Sequence, residues 1–372
     1  MKNQISRRNF VAATAAFAAS GISSSRNISL AAQPDTKWHD VREWGVEGRG
    51  FSDTEKYFDR LPKQAKGVVR DAVWSLSRHS SGMMVRFRTE ATTIHTDHGV
   101  TSKNLAMAHM PATGVSGLDL YAKDEDGKWK WVAVTRPSSQ QMNVVIAKNL
   151  RPGTRDYAIY LPLYNGTESL KIGVPAGDMF EPIAPRKEKP IVFYGTSITH
   201  GACASRPGMP HPSILGRRLD RPVINLGFSG NGKLEKEVGQ FLVQLDPVAY
   251  VLDCLPNMDS GEVAERTIPM VQQLRAAHPQ VPIVLVEDRT YADSWIVSAR
   301  QYRNDSSRAA FKAAYQKMLD DGVQNLFYVD GESLLSDDRE GTTDGSHPSD
   351  LGFFQQANAI EPVLRKAIQG AG

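Results

Sequence analysis

The chain of 372 residues has little cysteine, little net charge and, beyond its N-terminal segment, no long apolar run. Two cysteines, Cys203 and Cys254, are too few for a disulfide scaffold; they either form one bridge or pack as two buried thiols. A formal net charge of +3 creates no strong field for nucleic acid, which argues against a nucleic-acid partner. No stretch of about 18 apolar residues occurs after the N-terminal segment, so no membrane span is predicted. The nine histidines lack a ligand spacing such as His-Glu-x-x-His, so neither metal nor cofactor is predicted.

The small positive charge lies in the first 31 residues, which hold four basic side chains and no acidic one. Without that segment the formal charge is −1. Residues 6–10 read Ser-Arg-Arg-Asn-Phe, a twin-arginine pattern, and a weakly apolar run and small residues follow. This order is typical of a bacterial export signal. We therefore predict an export signal over residues 1–32 and a periplasmic or secreted protein; the alternative is an amphipathic N-terminal helix with accidental arginines.

The chain after this segment has two parts with different hydrophobic periods. Residues 33–182 contain alternating runs at 83–88, 129–134 and 157–161, separated by Gly, Pro, Asn and Asp. This pattern predicts an all-β sandwich or jelly roll, with one helical signal near 53–57 or 63–69. Residues 183–190 carry two prolines and four charges and read as a linker.

Residues 191–372 show short continuous apolar runs separated by helical stretches. The runs lie at 191–194, 223–226, 250–252, 283–286 and 326–329, and the predicted helices at 234–245, 262–277, 306–321 and 351–368. Continuous apolar runs suit strands buried on both faces of a parallel sheet. The order predicts a doubly wound α/β domain whose site lies beyond the carboxyl ends of five parallel strands.

Four polar motifs follow these strands or precede the last helix. They contain Ser197 after the first strand, Gly230 in a glycine-rich loop after the second, Asn257 after the third, and Asp344 with His347 near the C-terminus. Each motif alone is also compatible with a helix cap or a tight turn. Together they offer a nucleophile, a base, its orienting carboxylate and hydrogen-bond donors.

These motifs resemble the conserved blocks of the SGNH hydrolases, an esterase family named for Ser, Gly, Asn and His. The resemblance covers about residues 190–368 and implies a three-layer, flavodoxin-like α/β domain. Two departures are Thr196, where many relatives have Asp, and Met258 after Asn257. Upstream, the segment Gly-Leu-Asp-Leu-Tyr at 117–121 resembles the Gly-x-Asp-Leu-Tyr signature of a β domain that precedes such hydrolases.

The resemblance implies hydrolysis of a carboxylic ester through an acyl-enzyme on Ser197. His347 would be the general base and Asp344 would orient it. The backbone N–H groups of Ser197 and Gly230 and the side chain of Asn257 would form the oxyanion hole. His200 is a rival base that lacks an adjacent carboxylate.

The expected substrate is a small ester or an acetylated carbohydrate, and the favoured activity is that of a carbohydrate (acetyl) esterase. Alternatives are a short-chain ester or lysophospholipid hydrolase, an acyltransferase, and a non-catalytic carbohydrate-binding protein. A polar segment from Glu287 to Asp305, with Tyr291, Trp295 and Tyr302, either shapes the substrate pocket or packs down through its aromatic rings. Aromatic residues that could stack on sugars or fill the sandwich core are Trp38, Trp44, Trp129 and Trp131. No oligomeric state is predicted.

Overall fold

Residues 35–370 are described by the structure, a computed structural model. The predicted export signal lies outside these described residues, as do the last two residues. From Thr36 onward the chain forms one compact unit.

The first part is a sandwich of two antiparallel sheets. One sheet has the strand order β1-β8-β3-β6 and the other β5-β4-β7-β2-β9. Apolar side chains from the facing sides of both sheets, such as Phe87, Leu120 and Ile172, are buried between them. The strands are β1 (Thr36–Asp40), β2 (Met84–Thr89), β3 (Ile94–Val100), β4 (Asp119–Lys123), β5 (Trp129–Val134), β6 (Gln141–Ala147), β7 (Arg155–Tyr160), β8 (Thr167–Pro175) and β9 (Phe180–Ile183).

The predicted helical signal in this part is displaced. Residues 53–57 are not helical, residues Lys63–Ala65 form a short 3-10 turn, and the helix α1 spans Asp71–Leu76. Gly67 adopts a positive φ of 76°, which interrupts the run that the sequence pattern suggested. A short helix α2 covers Ala112–Val115.

The second part is a five-stranded parallel sheet with helices on both faces. The strands are β10 (Ile191–Gly195), β11 (Val223–Gly227), β12 (Ala249–Asp253), β13 (Ile283–Val286) and β14 (Leu326–Val329). Their order, β11-β10-β12-β13-β14, is that of a flavodoxin-like sheet. Alternate residues of β10 enter different apolar clusters, with Val192 in one and Phe193 in the other. The predicted three-layer α/β fold with a preceding β-sandwich is therefore confirmed.

Two helices of this part differ from the sequence prediction. The helix at His211–Arg218 (α4) has no counterpart in the prediction. The helix at Ser298–Asp320 (α7) begins eight residues earlier than expected, which shortens the polar segment after β13. The helices are α3 (Ser197–His200), α4 (His211–Arg218), α5 (Lys236–Leu242), α6 (Ser260–Ala277), α7 (Ser298–Asp320) and α8 (Asp350–Gln369). No helix among residues 35–370 is long and apolar enough to cross a membrane. Both cysteines are buried and free.

The two parts share buried surface. Leu61, Val69 and Val73, which lie between β1 and β2, pack in the same apolar cluster as residues of the parallel sheet. Leu163 and Tyr164, after β7, belong to the cluster on its other face. The sandwich therefore contributes side chains to both sides of the α/β layer, in addition to the chain connection from Ile183 to Ile191.

Candidate active site

Ser197 is the first residue of α3 and follows the end of β10, an interior strand of the parallel sheet, by two positions. The side chain of Thr196 caps this short helix by accepting a hydrogen bond from the Ile198 N–H. Gly201 ends it in the left-handed region with a φ of 108°, a conformation that glycine adopts without strain. The Thr196 that replaces the acidic neighbour of many relatives thus has a capping role here.

Ser197, His347 and Asp344 form a continuous chain of hydrogen bonds. Ser197 Oγ lies 2.9 Å from His347 Nε2, and His347 Nδ1 lies 2.8 Å from Asp344 Oδ2. Nδ1 donates to the carboxylate, which leaves Nε2 to accept from the serine hydroxyl. The structure therefore brings together three residues that are separated by up to 150 positions.

Asp344 is held in its ionised form. Its partial burial favours the neutral acid, but hydrogen bonds from the His347 side chain and backbone outweigh that effect and lower the pKa to about 2. Asp344 Oδ1 also accepts from the backbone N–H groups of Ser346 at 3.0 Å and His347 at 2.7 Å. The carboxylate can thus fix the His347 ring and stabilise an imidazolium cation.

Arg289 holds the loop that carries this pair. It follows β13, is buried, and is paired with Asp288. Its Nε donates to the Ser346 carbonyl oxygen at 2.6 Å, and its guanidinium also contacts the Ser346 hydroxyl. The polar segment from Glu287 to Asp305 is expected either to shape the substrate pocket or to pack down, and no sequence pattern indicates a role for Arg289 within it. A buried arginine next to a turn is recognisable only when the turn's position in space is known.

Gly230 and Asn257 lie on adjoining segments at the same edge of the sheet. Gly230 has a positive φ of 69°, and Asn257 ends the 3-10 turn that follows β12. In the amide orientation that satisfies its neighbours, the Asn257 oxygen accepts from Asn231 N at 3.0 Å and Gly232 N at 3.2 Å. A Cβ on Gly232 would lie 1.9 Å from the Gly195 carbonyl oxygen, so this loop lies directly against the end of β10.

Comparisons with known proteins show the family to which the chain belongs. Residues 188–365 match the model of the GDSL-like lipase/acylhydrolase family, and residues 36–180 match that of the GxDLY N-terminus of SGNH-hydrolase-type esterases. A GDSL-like lipase from Bacteroides ovatus has a similar structure, with 31% identity, a TM-score of 0.86, and coverage of 90% of this chain and 98% of the other. The chain belongs to the GDSL-like lipase/acylhydrolase family. It is accordingly an ester hydrolase.

More distant structures share the fold of this hydrolase. A salicylyl-acyltransferase from a tetracycline biosynthetic pathway has 17% identity and a TM-score of 0.67, covering 89% of this chain and 97% of the other. A family two carbohydrate esterase from Cellvibrio japonicus has 14% identity and a TM-score of 0.59, covering 91% and 99%. No curated protein matches the sequence significantly.

The sandwich of the hydrolase contacts α3, the helix that begins at Ser197, directly. Tyr164 donates its hydroxyl proton to the Ser197 carbonyl oxygen at 3.3 Å, and its ring stacks on His200 with 4.2 Å between centroids. His200 Nε2 lies 2.8 Å from the Leu163 carbonyl oxygen. Burial first, and then the charge of Arg60, lower the pKa of His200 well below its usual range. His200 is therefore a neutral packing residue of α3, and its ring is hydrogen-bonded to the sandwich.

Arg60 holds the end of β11, from which the glycine-rich loop with Gly230 begins. Its buried guanidinium donates to the carbonyl oxygens of Asn225 at 3.1 Å and Gly227 at 2.8 Å, at the end of β11. Burial lowers its pKa to about 9. The dipoles of these two carbonyl groups, in place of a hydrogen-bonded carboxylate, stabilise the charge of the guanidinium. This contact joins positions 167 residues apart, and the sequence pattern contains no signal for it.

The Gly-x-Asp-Leu-Tyr signature binds the loop after α3. Asp119 is fully buried, and its Oδ2 accepts from Arg206 at 2.8 Å and from the Gly208 N–H at 2.8 Å. Its Oδ1 accepts from the Trp131 indole at 2.9 Å. Tyr121 also contacts the Arg206 guanidinium through its hydroxyl. The motif thus fixes the loop that leads from α3 to α4.

Two further segments border the His347 side of the site. His109, on an exposed loop of the sandwich, lies with its ring centroid 6.1 Å from that of His347. After β13, the Ala292 N–H donates to the Gly345 carbonyl oxygen at 2.9 Å. On that segment Trp295 is 72% exposed and, at the start of α7, Tyr302 is 74% exposed. These two rings do not pack the segment down, whereas that of Tyr291 lies 4.1 Å from the Arg289 guanidinium.

Proposed function

We propose that the chain is an exported serine esterase that removes acetyl groups from carbohydrate. The observation that carries the catalytic part is the hydrogen-bond chain from Ser197 Oγ through His347 to Asp344, with distances of 2.9 Å and 2.8 Å. These lengths suit a nucleophile with its general base and an orienting carboxylate.

In the proposed reaction Ser197 Oγ attacks the ester carbonyl while His347 Nε2 accepts the hydroxyl proton. Asp344 keeps the proton on Nδ1 and stabilises the imidazolium, which then protonates the leaving alcohol. The oxyanion takes hydrogen bonds from the N–H groups of Ser197 and Gly230 and from the Asn257 amide. Water then attacks the acyl-enzyme with His347 as base, and acetate is released.

The carbohydrate part of the proposal has two supports. The fold is shared with the carbohydrate esterase from Cellvibrio japonicus and with an acetyl xylan esterase from the rumen bacterium Butyrivibrio proteoclasticus, whose TM-score is 0.55 at 10% identity. In addition, Trp295 and Tyr302 present exposed rings on the stretch of chain that follows Ala292, whose N–H contacts the loop carrying His347. Exposed aromatic rings are suitable faces for sugar stacking. Of the four tryptophans considered from the sequence, Trp131 is exposed and the others are partly buried.

The decisive assay measures acetate release by the protein lacking residues 1–32. We expect release from acetylated xylan and faster hydrolysis of p-nitrophenyl acetate than of esters with longer acyl chains. Ser197→Ala should lower kcat by about 10⁶-fold and Asp344→Asn by about 10⁴-fold. Ser138→Ala, at an exposed site on the sandwich, is the matched control and should retain wild-type rates.

Each alternative predicts a different outcome. Preference for long-chain or lysophospholipid esters would favour the lipid alternative, and acetyl transfer to an added alcohol in preference to water would favour an acyltransferase. Full activity in Ser197→Ala would reject the proposed nucleophile. An absence of turnover on every ester, with retained binding of polysaccharide, would favour a non-catalytic protein.

Export is a separate part of the proposal and depends on the twin-arginine pattern. We expect the protein to accumulate outside the cytoplasm with its first 30 or so residues removed. Replacement of Arg7 and Arg8 by lysine should retain the precursor in the cytoplasm, whereas Arg26→Lys, in the same segment, should not. Equal distribution of both variants between compartments would contradict a twin-arginine signal.

A further inference from the structure

Cys203 lies next to the two residues that activate Ser197. Its Sγ, a carboxylate oxygen of Asp344 and a ring nitrogen of His347 all lie within 4.8 Å of one another. The thiol is buried, whereas Asp344 is exposed and His347 is partly exposed. The three side chains therefore form a cluster that solvent reaches from the Asp344 side. None of the steps proposed above uses the thiol.

The backbone holds Cys203 in an unfavourable conformation. Its φ of 68° lies in the left-handed region, which costs a non-glycine residue about 1 kcal/mol or more. The following segment is fixed by Ser205, whose carbonyl oxygen accepts from Thr113 Oγ1 at 2.6 Å and whose N–H donates to Asp350 at 2.9 Å. The sulfur is thus held beside the Asp344–His347 pair by the packing of both domains.

We propose that Cys203, Asp344 and His347 bind one Zn²⁺ ion that inhibits the esterase. Thiolate sulfur, imidazole nitrogen and carboxylate oxygen are the ligands of tetrahedral zinc sites, with bonds of about 2.0–2.3 Å. Those bonds require ligand atoms about 3.4–3.6 Å apart. The ligand atoms of the cluster lie within 4.8 Å of one another, so small rotations of both the Cys203 and the Asp344 side chains would bring them to that spacing, and water supplies the fourth ligand.

Zinc binding would change the tautomer of His347. Nε2 faces Ser197, so a metal that also contacts Asp344 takes Nδ1, where the proton shared with the carboxylate now lies. The neutral zinc-bound imidazole then carries its single proton on Nε2. The Cys203 thiol, whose pKa burial raises to about 11, releases its proton to water as the zinc–sulfur bond forms. Ser197 Oγ then faces an N–H group and has no base.

The direct test is zinc binding by the purified protein lacking residues 1–32, measured by competition with a chromophoric chelator. We expect one Zn²⁺ per chain in the wild type. Cys203→Ala should weaken binding by more than about 100-fold, because even the loss of an outer-shell partner costs 10–100-fold. Cys254→Ala, which removes the other buried thiol, is the matched control and should bind zinc as the wild type does.

Two further measurements keep the test decisive. Cys203→Ser preserves the size of the side chain if the alanine variant is unstable, and it should also lose zinc. Co²⁺ in place of zinc should give a thiolate-to-metal charge-transfer band in the wild type and none in either Cys203 variant. Equal zinc affinity in the wild type and the Cys203 variants, or no stoichiometric binding by the wild type, would overturn the proposed site.

Inhibition is measured separately on p-nitrophenyl acetate and rests on the proposed role of His347. Zinc should abolish wild-type turnover reversibly with a chelator, while each Cys203 variant should keep the rate it has without zinc. Cys203-dependent binding with undiminished turnover would refute the inhibitory role but leave the site in place. If no ester is hydrolysed while zinc still binds through Cys203, the proposed function fails and the metal site stands.

Discussion

Asp253 provides the most quantitative prediction for the stability of the α/β domain. It ends β12, pairs in register with Gly195, and is 4% exposed. The Thr199 hydroxyl, on α3, donates to Asp253 Oδ2 at 2.7 Å. His211 Nε2 lies 3.7 Å from the same oxygen, but burial lowers the pKa of His211 to about 3. The nearest ring is therefore neutral and does not compensate a buried carboxylate.

The pKa of Asp253 follows from this environment. Burial raises it from 3.8 to about 7, although the hydrogen bond from Thr199 and the charge of Arg289 act in the opposite direction. Because the folded state has the higher pKa, it favours the neutral acid. The corresponding stability is fully present below pH 3.8 and is lost as the pH rises through 7. This rise in the pKa of Asp253 corresponds to about 4 kcal/mol of unfolding free energy in total, at about 1.4 kcal/mol per pKa unit.

Asp253→Asn tests this reasoning, since the amide is neutral at every pH. Between pH 5 and pH 8 the wild type should lose about 3 kcal/mol more unfolding free energy than the variant, measured by urea denaturation followed by circular dichroism. Asp337→Asn, at an exposed position, is the matched control and should show the pH dependence of the wild type. An Asp253→Asn difference that does not change with pH would refute the argument and show that Asp253 ionises as readily in the folded as in the unfolded chain.

Three other substitutions test the contacts between the domains and those of the glycine-rich loop after β11. Tyr164→Phe removes the hydrogen bond to the Ser197 carbonyl oxygen and should lower kcat several-fold with little change in KM; an unchanged kcat would show that this bond does not position the nucleophile. Gly232→Ala places a Cβ 1.9 Å from a carbonyl oxygen of β10, so kcat should fall by about 10²-fold or more, with the far-ultraviolet circular dichroism retained. Asp119→Asn leaves the charge of Arg206 without its buried partner and should reduce the unfolding free energy by about 3–5 kcal/mol, seen as a lower urea midpoint; an unchanged midpoint would contradict a structural role for the motif.

The positions of the parallel strands and the residues proposed for catalysis could be predicted from the sequence. Five apolar runs predicted β10 to β14 because a strand buried on both faces has few polar positions. The polar motifs follow the carboxyl ends of those strands, which share one edge of the sheet. Ser197, Gly230, Asn257 and the Asp344–His347 pair could therefore be grouped before any distance was known.

Helix boundaries are harder to predict from the sequence than the positions of the strands. The sequence pattern places Ser298, the first residue of α7, in a polar segment, because the first turns of this helix carry many charged and polar residues with little apolar period. The helix α4 at His211–Arg218 was missed, since it is short and has a proline in its first turn. Such helices are determined by packing on the sheet more than by local pattern.

The contribution of the sandwich to the hydrolase domain becomes visible only in the folded chain. Arg60, Asp119 and Tyr164 belong to strands and loops of the first part of the chain, yet each donates to or accepts from the segments around Ser197. Cys203 likewise meets His347 only through the fold. Local periodicity determines which residues form strands and which residues end them. Hydrogen bonds between distant positions arise from how the domains pack, and no local pattern records that arrangement.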